Sequence, residues 1–229
     1  MKFFLVFVIA IMSLMTGCAK SVERHLWDNM AEIRESVVFG RSDEMYVTIM
    51  SGEREGEYKL NGYATSLIPF GIITVDILQE NTKDIEGDMS YVLFVGTKKY
   101  SGVFEINPYN DTFVADIGEK IDITQNIRLD IKYNGREESL KLISPQSEWE
   151  IDHEKCLANF VDKYKEELKK FVINEVFEGE CYIKIIDDWD EFGSEYYYYV
   201  SVIGRSGSSI SVVISPKSGE ILASNCNVL

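Results

Sequence analysis

The chain has 229 residues, 45% of them hydrophobic and 27% charged, with 16 Gly and only 4 Pro, which excludes intrinsic disorder and repetitive fibres. Lys and Arg number 23 against 38 Asp and Glu, and a net charge of −15 sets nucleic acid aside as a partner, because phosphate neutralisation needs a basic surface.

The chain opens with Lys2 and an almost uninterrupted apolar run from Phe3 to Met15, broken only by Ser13. That is the pattern of a signal peptide, residues 1–17, and it is shorter than the roughly 20 residues a membrane span requires. The run ends in Met15-Thr16-Gly17-Cys18. This resembles the lipobox of bacterial lipoproteins, with Met15 standing where the family usually has Leu. The resemblance implies that Cys18 carries thioether-linked diacylglycerol and becomes the mature N-terminus. A further acyl chain of the palmitate type usually sits on its amine. Two chains suffice for stable anchoring. The expectation is therefore a protein tethered by lipid to the extracytoplasmic face of a bacterial cell membrane, of the Gram-positive type.

Residues 18–44 read as the lipidated terminus followed by one helix, Ala19 to Gly40, with Leu26, Met30, Ile33 and Val37 at helical spacing and Gly40 as its terminator. His25 on that helix has no second ligand nearby and reads as a packing residue. From residue 45 to 144 the period changes to two. Short β-branched and aromatic runs alternate with turn signals such as Asn61-Gly62, Asn107-Pro108-Tyr109-Asn110-Asp111 and Asn134-Gly135, the pattern of an antiparallel β-sandwich. The Asn134-Gly135 pair, flanked by Leu129 to Tyr133 and Arg136 to Leu142, is the clearest hairpin, since both residues tolerate the positive φ of a type I′ turn. Ser144 to Glu150 reads as a linker.

Residues 150–229 read as a smaller module. Leu157, Phe160, Val161, Tyr164, Leu168 and Phe171 make a helical stripe with Asp152 as its N-cap, and three strands follow, Glu180 to Ile186, Tyr196 to Ile203 and Ser209 to Ser215, with a last turn into Glu220-Ile221-Leu222. The whole reads as α+β: an N-terminal helix and sandwich, then one long helix packed on a three- or four-stranded antiparallel sheet. A helix, three strands and the ending Val213-Ile214-Ser215-Pro216-Lys217-Ser218-Gly219-Glu220-Ile221-Leu222 resemble the PepSY domain, over about 70 residues. Ser215 and Ser218 replace the family's usual Asp and Thr. The resemblance implies a non-enzymatic module that restrains or chaperones a peptidase outside the cell, and it carries no catalytic residue.

The candidate binding residues are aromatic. On a strand, Tyr196 and Tyr198 face one way and Tyr197 and Tyr199 the other, so one pair packs on the helix. The outward pair, Tyr197 and Tyr199, with Trp189 in the acidic run Asp187-Asp188-Trp189-Asp190-Glu191, makes a candidate surface for a peptide or glycan; cross-strand packing and a solvated loop are the alternatives. Beside Cys18 stand Cys156, Cys181 and Cys226; Cys181 and Cys226 are candidates for one disulfide if their strands are neighbours, and three unpaired thiols are the alternative. No zinc spacing, phosphate loop or nucleophile elbow occurs, and the histidines are only His25 and His153, so no metal, cofactor or catalytic triad is expected. The functions in view are a non-catalytic module binding a protein, peptide or wall component, a structural accessory subunit of an envelope complex, and a carboxylate-dependent wall hydrolase.

Overall fold

A computed structural model describes residues 21–56, 66–78, 85, 87–187 and 195–228. Cys18, Trp189 and the turn expected at Asn61-Gly62 lie outside the described residues.

The described chain opens with helix α1, Val22–Asp28, whose first turn is capped by the Ser21 hydroxyl accepting from the Arg24 N–H at 3.2 Å. It stops at Asn29. The single helix expected from 19 to 40 does not form, because Met30–Arg41 is strand β1. The physical reason lies in two irregularities. Pairing shifts between Met30 and Glu32 and again between Arg34 and Ser36, as at β-bulges. Each shift resets the alternation, so burial falls at 30, 31, 33, 36, 37, 38 and 40, which imitates a helical stripe. Gly40 is a strand residue against which Leu142 closes, leaving no room for a side chain.

The remaining strands are β2, Met45–Glu55; β3, Leu67–Ile77; β4, Ser90–Val95; β5, Lys98–Val103; β6, Glu105–Ile106; β7, Phe113–Asp116; β8, Ile127–Tyr133; and β9, Arg136–Leu142. A 3₁₀ turn, Pro145–Glu148, leads to helix α2, His153–Lys169, capped by Asp152 accepting from the Lys155 N–H at 2.8 Å. Then come β10, Val172–Ile173; β11, Val176–Phe177; β12, Gly179–Asp187; β13, Tyr196–Gly204; β14, Ser209–Ile214; and β15, Ile221–Asn227. The β8–β9 hairpin turns on Asn134 and Gly135 at φ 47° and 72°, as their sequence predicts.

The fold is α+β. Among the described residues, nine strands form one sheet in the order β15-β14-β13-β12-β1-β2-β3-β7-β6, and four form a second, β5-β4-β8-β9. The segments expected as two modules therefore share a sheet. Their junction is the parallel pairing of β1 with β12, through Met30 opposite Cys181 and Ile33 opposite Ile183. Beyond Arg34 the two strands part. There Gln146, in the segment expected as a linker, takes the place of β12: its carbonyl accepts from the Val37 N–H and its amide donates to the Glu35 carbonyl, each at 2.9 Å.

Two buried clusters hold these layers. One joins Leu26, Met30, Ile33 and Val37 to α2 through Leu157, Phe160 and Leu168, and to Ile183, Tyr198, Val200 and Val212. The other joins Val38, Val47, Ile49, Ile73 and Val75 of the large sheet to Leu93, Leu129, Ile131 and Leu140 of the small one. β1 supplies side chains to both.

Candidate functional site

Strand alternation explains where the molecule leaves a concave polar surface. Val47, Ile49, Ile73 and Val75 face the small sheet, so Thr48, Met50, Ile72 and Thr74 between them face the other way. They floor a groove of about 800 Å³. Its far wall is the β6–β7 connection, with Asn107, Asn110 and Thr112, and at the β7 edge it meets Ser101 to Val103 of β5. Its lining mixes neutral hydrogen-bonding groups with Met50, Ile72, Val103 and Val114.

Charge is unevenly spread along it. Arg34 and Arg54 stand toward one end, Asp76 and Asp187 toward the other. In β2 register, Asp76 lies opposite Tyr46 and Arg34 opposite Gly52, six residues along, or roughly 20 Å at 3.3 Å per residue. Both guanidinium groups are engaged: Arg54 with Asp116, and Arg34 with Glu32 at 2.7 Å and with the Met50 sulfur at 3.2 Å. Asp76 has no hydrogen bond or ion pair among the described residues. Burial, and then the charge of Asp187, push its carboxyl above the usual carboxylate range.

Below that acidic end the hydroxyls of Tyr46 and Tyr196 hydrogen-bond to each other, packed against Phe39 at ring distances of 6.4 and 5.8 Å. Burial raises the Tyr46 phenol to about 12 and drives Tyr196 higher. Both are protonated at neutral pH and serve as a rigid, uncharged base for the two carboxylates.

The residues singled out by sequence lie elsewhere. Tyr197 and Tyr199 are half-buried on the outward face of β13, with Tyr197 donating to Glu195 and Tyr199 to the Ser211 hydroxyl at 3.0 Å. Tyr196 and Tyr198 face inward; Tyr198 packs edge-on to Trp149 at 5.2 Å beside α2. Neither outward tyrosine lines the groove. Of the acidic run only Asp187 is described, and it is a groove residue. The disulfide expected between Cys181 and Cys226 does not form, and both are free thiols. Cys181 faces Val202, Val202 faces Ile210 and Ile210 faces Cys226, so two strands intervene and the thiols lie about 14 Å apart, three strand spacings, beyond bridging reach. His25 stacks near Phe177 and His153 lies edge-on to Trp27, both against the α2 cluster.

Sequence reasoning missed Arg34, Thr48, Thr74 and Asp76. The available signal was polar residues at alternate positions of central strands otherwise rich in Val and Ile, where a solvated outer face alone does not require burial; Thr48 is 7% exposed. Among the described residues no group of three or more His, Cys, Asp or Glu is placed to hold a metal, and no helix is long and apolar enough to cross a membrane. No protein-family model, curated protein or solved structure matches the chain.

Proposed function

We propose that the protein is a lipid-anchored, extracytoplasmic, non-catalytic binding protein, and that the groove over β2, β3 and β7 is where it holds its ligand. The groove is the observation that carries this reading: about 800 Å³ of concave surface with a few polar groups converging on an amphipathic floor. The lipobox-like Met15 to Cys18 supports the anchor. The two sheets, read as a sandwich with a flanking helical layer, form the rigid frame. In the C-terminal half, α2, the strands after it and the Ser215 to Gly219 turn support the PepSY-like reading, and with it a partner of the peptidase or cell-wall class. That turn is tied to the helix layer: the Pro216 carbonyl accepts from the Glu150 N–H at 2.9 Å and the Gly219 carbonyl from the Asn159 amide at 3.2 Å.

Carboxylate-dependent hydrolysis gains no support from the spacing. The groove carboxylates with opposed environments are Asp76, disfavoured as an anion, and Asp116, paired with Arg54. Asp116 lies opposite Ile72, four residues from Asp76, which is about 13 Å along the strand. Acid and base in glycoside hydrolysis stand roughly 5 to 9.5 Å apart.

Two measurements test the proposal. Wild-type protein fractionates with membranes and Cys18→Ser with the soluble phase; unchanged membrane association of the variant refutes the anchor. Hydrogen exchange of the Cys18→Ser protein with a low-molecular-weight envelope extract slows at residues 67–77 and 105–116 without turnover of the extract. Unchanged exchange there refutes the binding site, and turnover refutes the non-catalytic reading.

A further inference from the structure

An open sheet ends in strands whose outer N–H and C=O groups lack a strand partner, and proteins guard such edges by keeping them short or by charging them. Among the described residues the two larger sheets end in four strands, β15 and β6 for one, β5 and β9 for the other. Three of these are guarded. β6 is only Glu105–Ile106. β5 opens with Lys98 and Lys99, and β9 carries Arg136, Glu137, Glu138 and Lys141.

β15 has neither device. Ile221 to Asn227 contains no charged residue and no Pro. A register shift at Leu222 marks its start, and from Ala223 to Asn227 its pairing with β14 is regular. Leu222 to Asn227 are all exposed, so neither face of the strand is covered. Ile221 and Val228 pack against the α2 cluster and fix both ends. The edge is therefore bare, uncharged and held in place.

We infer that β15 pairs with β15 of a second copy of this chain, antiparallel about a twofold axis at Asn225, the centre of the regular stretch, so that the two large sheets become one. An antiparallel edge is self-complementary under such an axis, because each copy offers the other the same unpaired groups. Charge favours the same occupant. With a net charge of −15 two copies repel over most of their surfaces, whereas β15 brings no like charges opposite one another. A foreign peptide is chosen by pockets for its alternate side chains, and with both faces of β15 bare no wall beside the edge forms them. One strand pair is smaller than a standard interface, so the association is reversible and depends on concentration.

Sedimentation velocity of the Cys18→Ser protein from about 1 μM to about 1 mM tests this and gives a monomer–dimer equilibrium. Asn225→Lys sets like charges face to face across the axis and raises the dissociation constant at least tenfold; an unaltered melting curve shows that this exposed change leaves the fold intact. An equimolar mixture of the Asn225→Lys and Asn225→Glu proteins regains association, because Lys then faces Glu. A nitroxide on exposed Cys226 shows strong dipolar broadening in the dimer, since the two Cys226 residues become diagonal neighbours roughly 7 to 8 Å apart. A monomer throughout the range, a dimer indifferent to Asn225→Lys, a Lys/Glu mixture that stays monomeric or an unbroadened spectrum from the dimer overturns the inference. A monomer whose exchange at residues 221–227 slows with the envelope extract gives the edge to a foreign strand and overturns it equally.

Discussion

A fragment beginning at Glu148 retains α2 and β12 to β15, yet it loses the strand that completes their core. Leu26, Met30, Ile33 and Val37 are 0, 3, 4 and 0% exposed and belong to the cluster that buries Leu157, Phe160 and Ile183. Fully burying one such side chain is worth about 1.5 to 3 kcal/mol, so four contribute roughly 6 to 12 kcal/mol, an upper figure because unfolded chains are already partly compact. Whole domains are stable by about 5 to 15 kcal/mol. The fragment also bares the edge of β12 that pairs with β1. Residues 148–229 alone should therefore give no cooperative urea transition and a weak near-ultraviolet signal from Trp149 and Tyr198, which pack edge-on in the intact chain. Joining residues 21–41 ahead of residue 143 by a short Gly/Ser linker should restore both, since Phe39 and Ile143 are already bridged. A sigmoidal transition with native near-ultraviolet intensity in residues 148–229 alone would refute the reasoning and place the C-terminal half as a self-sufficient domain.

The tyrosine pair makes two predictions that share an assay. Tyr46→Phe leaves the Tyr196 hydroxyl buried without its partner and costs about 1 to 3 kcal/mol in urea unfolding, and the double change to Phe costs less than the two single changes added; strict additivity would show that the hydroxyls do not interact. Because the folded Tyr46 phenol holds its proton up to about 12, while the unfolded one releases it near 10, its own contribution to stability is constant below pH 10 and is lost above it, by roughly 2 to 3 kcal/mol at pH 12. Tyr46→Phe should flatten that decline, and an unaltered slope contradicts the assignment. In the Cys18→Ser protein, dithionitrobenzoate should modify exposed Cys226 at once and reach buried Cys156 and Cys181, whose thiols burial holds well above their usual range, only in denaturant. Rapid reaction of a second thiol would show that the α2 cluster opens.

Legibility tracked locality. The Asp152 cap and the stripe from Leu157 to Leu168 need only neighbours within one helix, and the hairpin at Asn134-Gly135 needs only two strands and their turn. The strand run Arg136 to Leu142 came out with its observed bounds, and its partner with its observed end at Tyr133, because one face is buried and the other wet. What sequence did not disclose is pairing at a distance. Met30 and Cys181 are partners across 151 positions, and no composition shift at Pro145 announces that the sheet runs through. The same blindness produced the disulfide expectation, since Cys181 and Cys226 each sit on a strand but β13 and β14 stand between them. Groove residues come from β1 to β7 and from β12 and converge only when both sheets are assembled, so Asp76 read alone is one acid among 38.

One irregularity links the misread strand to the site. β1 pairs with β12 only as far as Ile33; just beyond, where the β1–β2 register shifts between Arg34 and Ser36, the backbone at Glu35 and Val37 bonds to the Gln146 side chain instead. Asp187, at the end of β12, lines the groove, as does Arg34, which stands on the last regular step before the bulge and donates to the Met50 sulfur. Bulges commonly re-aim side chains beside functional sites. The bulge that gives β1 the false periodicity of a helix thus stands directly beside a groove residue, Arg34, where β1 exchanges β12 for the Gln146 side chain.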